Sequence, residues 1–142
     1  MSSDSIGRYR HVPSYYPFSV AAIILLGLAL RVSDLTESLW FDELWSTKVM
    51  LGSLSQLFNR AMNDLHPPGY LVLNFVWIRL FGDSELSVRT IPLLSGLCGI
   101  GLTCEIARRW ASPPVGLLAG TLVALSPVHI WYSPEARPYA LL

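Results

Sequence analysis

The sequence predicts an all-α, polytopic membrane protein, with about three transmembrane helices and juxtamembrane interfacial helices in its first outer loop. Three observations predict it. The 142 residues are 52% hydrophobic and only 14% charged, against roughly 25% charged in an ordinary soluble domain. The few charges are gathered in short blocks between long uncharged runs. Three of those runs approach the ~20 apolar residues that a bilayer core requires. The length is about that of one domain. The formal net charge is zero, so nothing points to nucleic acid.

Residues 1–14 are polar and carry Arg8, Arg10 and His11. They read as a short tail, kept cytoplasmic by the positive-inside rule. Residues 15–142 then form one transmembrane module. The first span runs from about Tyr15 to Val32. Its uncharged part is a little short, and Arg31 extends it by snorkelling. A cleaved signal peptide is the rival reading, but no small-x-small cleavage site follows Leu30.

The first outer loop, residues 33–85, carries order of its own. Asp42 begins a short helix through Met50, and Gly52 breaks it. Ser53 and Gln56 stand at capping-box spacing. The helix after them places Leu54, Leu57, Phe58, Ala61, Met62 and Leu65 on one face and Ser55, Gln56, Asn59, Arg60 and Asn63 on the other. That pattern suits a helix lying in the membrane interface. Residues 68–81 are apolar but short and are interrupted by Asn74 and Arg79, as in interfacial or re-entrant segments. Gly82-Asp83-Ser84-Glu85 ends that helix and starts another.

The second span runs from about Leu86 to Trp110, with Pro92 as a point of kinking. Ser95, Gly96, Gly99, Gly101 and Thr103 give it small faces for close packing. Glu105 stands three and four residues before Arg108 and Arg109, at pairing distance. Cys98 and Cys104 lie inside this span, six residues apart and on different faces. They read as buried thiols rather than a disulfide. Ser112-Pro113-Pro114 is a turn with a capping residue and a helix-starting proline. The third span runs from about Val115 to Trp131.

Topology follows from the arginines. Arg108 and Arg109 in a short loop belong inside. If residues 68–81 do not cross, Asp42, His66 and Arg137 all lie outside. If they do cross, the outer clusters separate. We take the first count. Three stretches then share one face: Leu39-Trp-Phe-Asp-Glu-Leu-Trp45, Asp64-Leu-His-Pro-Pro68 and Ser133-Pro-Glu-Ala-Arg-Pro-Tyr139. Trp40, Trp45, Trp131 and Tyr132 suit an interfacial aromatic belt.

These stretches, in this order, resemble the membrane glycosyltransferases of the GT-C superfamily. The branch is that of the dolichyl-phosphate-mannose protein mannosyltransferases and the lipid A aminoarabinose transferase. The likeness is carried by Leu39–Glu43, Asp64–Tyr70, Leu80–Arg89 and Leu125–Leu142, and covers residues 28–142. Each motif alone is weak, and the specificity lies in their order on a membrane background. The resemblance implies a polyprenyl-phosphate-linked sugar as donor, a glycan, lipid or protein as acceptor, and a site at the outer face of the plasma (inner) membrane. It maps an essential first-loop acid onto Asp42, with Glu43 beside it, and further polar residues onto Glu135 to Tyr139. Family members are much longer, so the chain looks like the N-terminal part of such a module, expected to be inactive alone.

Sugar transfer from a lipid phosphate requires a base for the acceptor hydroxyl and stabilisation of the leaving phosphate. Asp42 is the candidate base, or a helix N-cap. Glu43 assists through a hydrogen bond or a divalent metal, or is a favourable first-turn charge. His66 touches the donor phosphate or makes a helix-start hydrogen bond. Asp64 belongs to the same substrate-binding group, or is a solvated helix end. Arg137 binds phosphate or pairs with Glu135, with Tyr139 close by. His129 reads as structural. No metal-ligand spacing and no nucleotide-binding glycine loop is present, which disfavours a nucleotide-sugar donor. The alternative class is a small non-enzymatic polytopic protein, a transporter part or assembly subunit. That class requires polar groups inside the spans, whereas here they gather at one edge.

Overall fold

The structure, a computed structural model, describes residues 12–36, 43, 51–62 and 68–135. Every regular element among them is helical. In chain order they are α1 (Tyr16–Ala29), a 3₁₀ turn (Val32–Thr36), α2 (Leu54–Ala61), α3 (Pro68–Phe81), α4 (Glu85–Trp110), α5 (Pro113–Leu125) and α6 (Pro127–Tyr132). Among the described residues, α4 is the one helix long and apolar enough to cross a membrane, at 26 residues. The helices α1, α3 and α5 are apolar but only 14, 14 and 13 residues long.

α1, α4 and α5 pack together. The Tyr16 hydroxyl at the start of α1 donates to the Cys104 carbonyl late in α4, at 2.8 Å. Gly116, in the first turn of α5, meets the same point: a Cβ there would lie 2.5 Å from that carbonyl and 2.8 Å from the Tyr16 hydroxyl. At the other end, Arg31 reaches the Ala124 carbonyl near the end of α5. α1 and α5 therefore run parallel, and α4 runs against both. Gly116 and Gly120, one turn apart on α5, let its backbone close onto α4, the small-xxx-small device of membrane helix pairs.

α2 and α3 pack beside the first turns of α4. Leu57, Tyr70, Leu71, Phe75, Ile78 and Val88 form one buried cluster. Pro92 lies inside α4 and is buried. It has no N–H, so the Val88 carbonyl four residues earlier loses its helical partner. The Asn74 side chain of α3 donates to that carbonyl at 3.1 Å and to the Tyr70 hydroxyl at 2.9 Å. A polar residue inside an apolar helix thus replaces the bond that a proline removed.

Local signals set several boundaries. Ser53 and Gln56 form the expected reciprocal cap: the Ser53 N–H donates to the Gln56 side chain at 2.9 Å, and the Gln56 N–H donates to the Ser53 hydroxyl at 3.3 Å. Gly82 takes φ +87° between α3 and α4, a conformation that costs glycine little. Ser84 caps α4 by accepting from the Ser87 N–H. Glu105 pairs with Arg108 at 2.5 Å and with Arg109 at 2.6 Å.

Four expectations are corrected. The third span is not continuous: Ser126 is extended (ψ 120°), and the chain restarts at Pro127 as α6. A proline at 127 disfavours helical backbone at 126, and the Ser126 hydroxyl caps the new helix by accepting from the His129 N–H. Cys98 is exposed, and only Cys104 is buried. Ser112 stands at the N-cap of α5, but its side chain makes no capping bond. Arg31 does not snorkel; it is fully buried. On the described apolar face of α2, Leu57 is buried while Leu54, Phe58 and Met62 are exposed. Leu65, Asn63 and the helix expected from Asp42 to Met50, apart from Glu43, lie outside the described residues.

Gly120→Ala should destabilise the bundle by about 1–3 kcal/mol, the usual range for overpacking, because the new methyl would run into the Cys104 Sγ. Adding Cys104→Ala should restore most of that loss, since the nearest remaining side-chain atom, Cys104 Cβ, stands 3.5 Å away. Thermal unfolding in detergent of the two single variants and the double variant measures this coupling.

Candidate active site at the Arg89 end of α4

α4 buries Val88, Arg89, Pro92, Leu93, Gly96, Ile100 and Cys104. That spacing is one stripe of a single helix face. Arg89 and Gly96 are seven residues apart, so they stand nearly in line, about two turns or ~10 Å along the axis. The stripe receives the first outer segment at one point and the last described segment at the other.

At Arg89 the visitor is Glu43. The guanidinium donates from Nη2 to Oε2 at 2.8 Å and from Nε to Oε1 at 3.3 Å. Both side chains are 3–4% exposed. This side-on fork uses the planar geometry that suits Arg to a carboxylate. Glu43 was expected to assist catalysis or hold a metal. Both of its oxygens face a guanidinium with almost no solvent contact, so the pair ties Glu43 to α4. It fastens the residue next to Asp42 onto α4.

At Gly96 the visitor is Ser133. A Cβ at position 96 would lie 2.7 Å from the Ser133 hydroxyl and 2.8 Å from its Cβ, so this seat exists only for glycine. Ser133 and Pro134 are buried, and Glu135 follows at intermediate exposure. Ser133 leans on His129 of α6: its hydroxyl donates to the His129 carbonyl and stands 2.9 Å from Nδ1. His129 in turn lies 2.7 Å from Nη2 of Arg31. His129 thus links Arg31 of the first helix to Ser133.

Among the expected site residues, Glu43 and Glu135 are described and belong to segments that share this face of α4. Asp42, Asp64, His66, Arg137 and Tyr139 lie outside the described residues. Among the described residues, no group of three His, Cys, Asp or Glu is placed to hold a metal ion. Sequence reasoning placed Arg31 at the membrane surface and gave Arg89 no role. The signal was present: an arginine inside or at the rim of an apolar helix is costly unless it has a specific partner.

The opposite end of α4 is built differently. Glu105, Arg108 and Arg109 form a local network, and the Arg108 guanidinium stands 5.6 Å from the centre of the Tyr16 ring. From Arg89 to Arg108 is nineteen residues, about 28 Å of helix at the standard rise. That is close to the thickness of a bilayer's hydrocarbon core. Outward-facing Phe18, Leu25, Leu102, Leu118 and Leu122 are exposed between the two ends.

Glu43→Gln and Arg89→Met should each be strongly destabilising, by about 3–5 kcal/mol, because each removes one charge of a buried pair. The double variant Glu43→Gln/Arg89→Met should lose less than the sum of the single losses. A double-mutant cycle on denaturant unfolding reads the coupling directly. Additive losses would mean that the pair holds nothing in place.

In comparisons with known proteins, no family model, no curated protein and no solved structure matches the chain.

Proposed function

We propose that the protein is a multi-pass membrane glycosyltransferase module. It moves a sugar from a polyprenyl-phosphate donor to an acceptor at the outer face of the plasma (inner) membrane. In this reading α4 crosses the bilayer, α1 crosses beside it, and α5 with α6 forms a third, broken crossing. The observation that carries the reading is the convergence of Glu43 and Ser133 on one stripe of α4. Two segments distant in sequence, each next to a cluster of polar and aromatic residues, are fastened to one face of one long apolar helix, Glu43 near its start and Ser133 at its middle, about 10 Å further along. The charged network around Glu105 lies a membrane's thickness away. Such an arrangement supports chemistry at a membrane surface rather than a path through the spans.

The chemistry assigns one task to each group. The acceptor hydroxyl oxygen attacks the anomeric carbon of the donor, and its proton passes to the Asp42 carboxylate. The bond from that carbon to the phosphate oxygen breaks, and the polyprenyl phosphate leaves with the electron pair. Arg137 and His66 are the groups assigned to the leaving phosphate. Asp64, Glu135 and Tyr139 line the sugar side. Glu43, tied to Arg89, holds Asp42 at the stripe. The exposed apolar residues of α2, Leu54, Phe58 and Met62, suit a helix lying at the lipid interface over the site.

Asp42→Asn tests the reading in membranes from cells that express the protein from its own locus, supplied with polyprenyl-phosphate sugars and membrane acceptor extract. Transfer should fall by ~10²–10⁴, the usual worth of a general base, with expression and thermal stability unchanged. Asn still caps a helix, so a purely structural Asp42 would leave both quantities near their starting values. Turnover that survives the substitution refutes Asp42 as the base. No turnover in a full-length form that contains this module refutes the reading.

A further inference from the structure

Arg31 is fully buried, and among the described residues no carboxylate pairs with it. Its Nη1 donates to the Gly27 carbonyl at 2.6 Å and to the Ala124 carbonyl at 3.4 Å. Both are carbonyls of the last turn of a helix, α1 and α5, and so are short of intrahelical partners. A helix C-terminus carries roughly half a negative charge. Two of them together supply about the counter-charge that one guanidinium requires. The remaining arm, Nη2, reaches His129 Nδ1 at 2.7 Å. Arginine can only donate, so Nδ1 is the acceptor and the imidazole proton sits on Nε2.

His129 belongs to a helix of six residues, too short to hold a position by its own hydrogen bonds. It is gripped from outside instead. Arg31 holds it from the α1 side. On the α4 side, a Cβ at Gly96 would lie 3.4 Å from its Cε1, and one at Gly99 would lie 3.8 Å from its Nε2. The His129 carbonyl accepts from both the N–H and the hydroxyl of Ser133. The chain Arg31–His129–Ser133–Gly96 thus runs from the end of the first apolar helix, through the restart of the broken one, to the stripe of α4.

We propose that Arg31 and His129 are positioning residues that lock the Ser133–Glu135 turn onto the Arg89 stripe of α4 and so set where the second outer segment stands relative to the first. The consequence for catalysis rests on the transferase reading; the positioning itself rests on geometry alone.

The test places a thiol at the seat with Ser133→Cys, in a Cys98→Ala background, in lipid nanodiscs. Cys104, which is fully buried, reports opening of the whole bundle. Ser133 is 2% exposed, so the thiol at 133 should react slowly with a membrane-permeant maleimide. Arg31→Gln and His129→Leu should each speed its modification by about tenfold or more, the change that about 1.4 kcal/mol of lost restraint produces, while Cys104 stays unreactive. His129→Asn, whose amide oxygen can take the place of Nδ1, should keep the protection. If Arg31→Gln also exposes Cys104, the His129→Leu and His129→Asn pair decides alone. A thiol at 133 that reacts freely from the start, or that stays protected in His129→Leu, overturns the proposal. The expected pattern, together with no sugar transfer by a full-length form that contains this module, would refute the transferase reading and leave the positioning standing.

Discussion

A buried guanidinium that, among the described residues, has no carboxylate partner is the constraint on which the upper part of this structure depends. Arg31 cannot shed its charge, since its proton is held too tightly for any protein environment to remove. It must therefore be met by dipoles. The ends of α1 and α5 supply them, which forces those two ends together. The helices must then run parallel, and the antiparallel helix beside them must be α4. A hydrophobic stripe alone would specify neither the level at which the helices end nor which ends meet. The arginine specifies both, and its third contact carries the specification on to His129 and the turn beyond it.

Below that level the bundle is held by close approach rather than by polar bonds. Gly116 and Gly120 bring the backbone of α5 onto Cys104, and the Tyr16 hydroxyl closes the same point from α1. Lipid tails are as apolar as leucine, so burying apolar surface alone would not drive such helices together in a bilayer. Interdigitation and the few internal hydrogen bonds must do so. The Asn74–Val88 bond serves the same end at the top of α4, where Pro92 leaves a carbonyl open and α3 is fastened by filling it. Charge thus stands at the two ends of α4 and, with Arg31, beside its middle, near Leu97 and Ile100.

What was legible in the sequence was local. The Ser53–Gln56 cap, the glycine turn at Gly82, the Ser84 cap and the Glu105 pairs each involve residues within four positions of one another, and spacing alone reveals them. The break of the third apolar run was signalled too, by a serine and a proline in N-cap and first-turn order at 126 and 127, but high hydropathy hid it. The partners of Arg31 and Arg89 could not be read. Ala124 is 93 residues from Arg31, and Glu43 is 46 residues from Arg89. No period or spacing encodes contacts at that range. Reasoning about one helix end at a time assigned Arg31 to the surface, whereas tertiary carbonyls make its burial tolerable. Of the candidate site, Glu43 was named but its partner was not, and Arg89 stood only within a motif.

The central claim is that α4 crosses a membrane with its Arg89 end outward, so that both outer segments meet on one side. Thiol labelling in intact cells tests it most directly, in a Cys98→Ala background with buried Cys104 left in place. Asp83, in the turn before α4, and Ala111, just after it, are both exposed. The account predicts that Asp83→Cys reacts with an impermeant maleimide in intact cells and that Ala111→Cys reacts only after permeabilisation. Reaction of Ala111→Cys alone from outside would reverse the orientation. Equal reaction of both positions in intact cells would show that α4 does not cross, and would contradict the account.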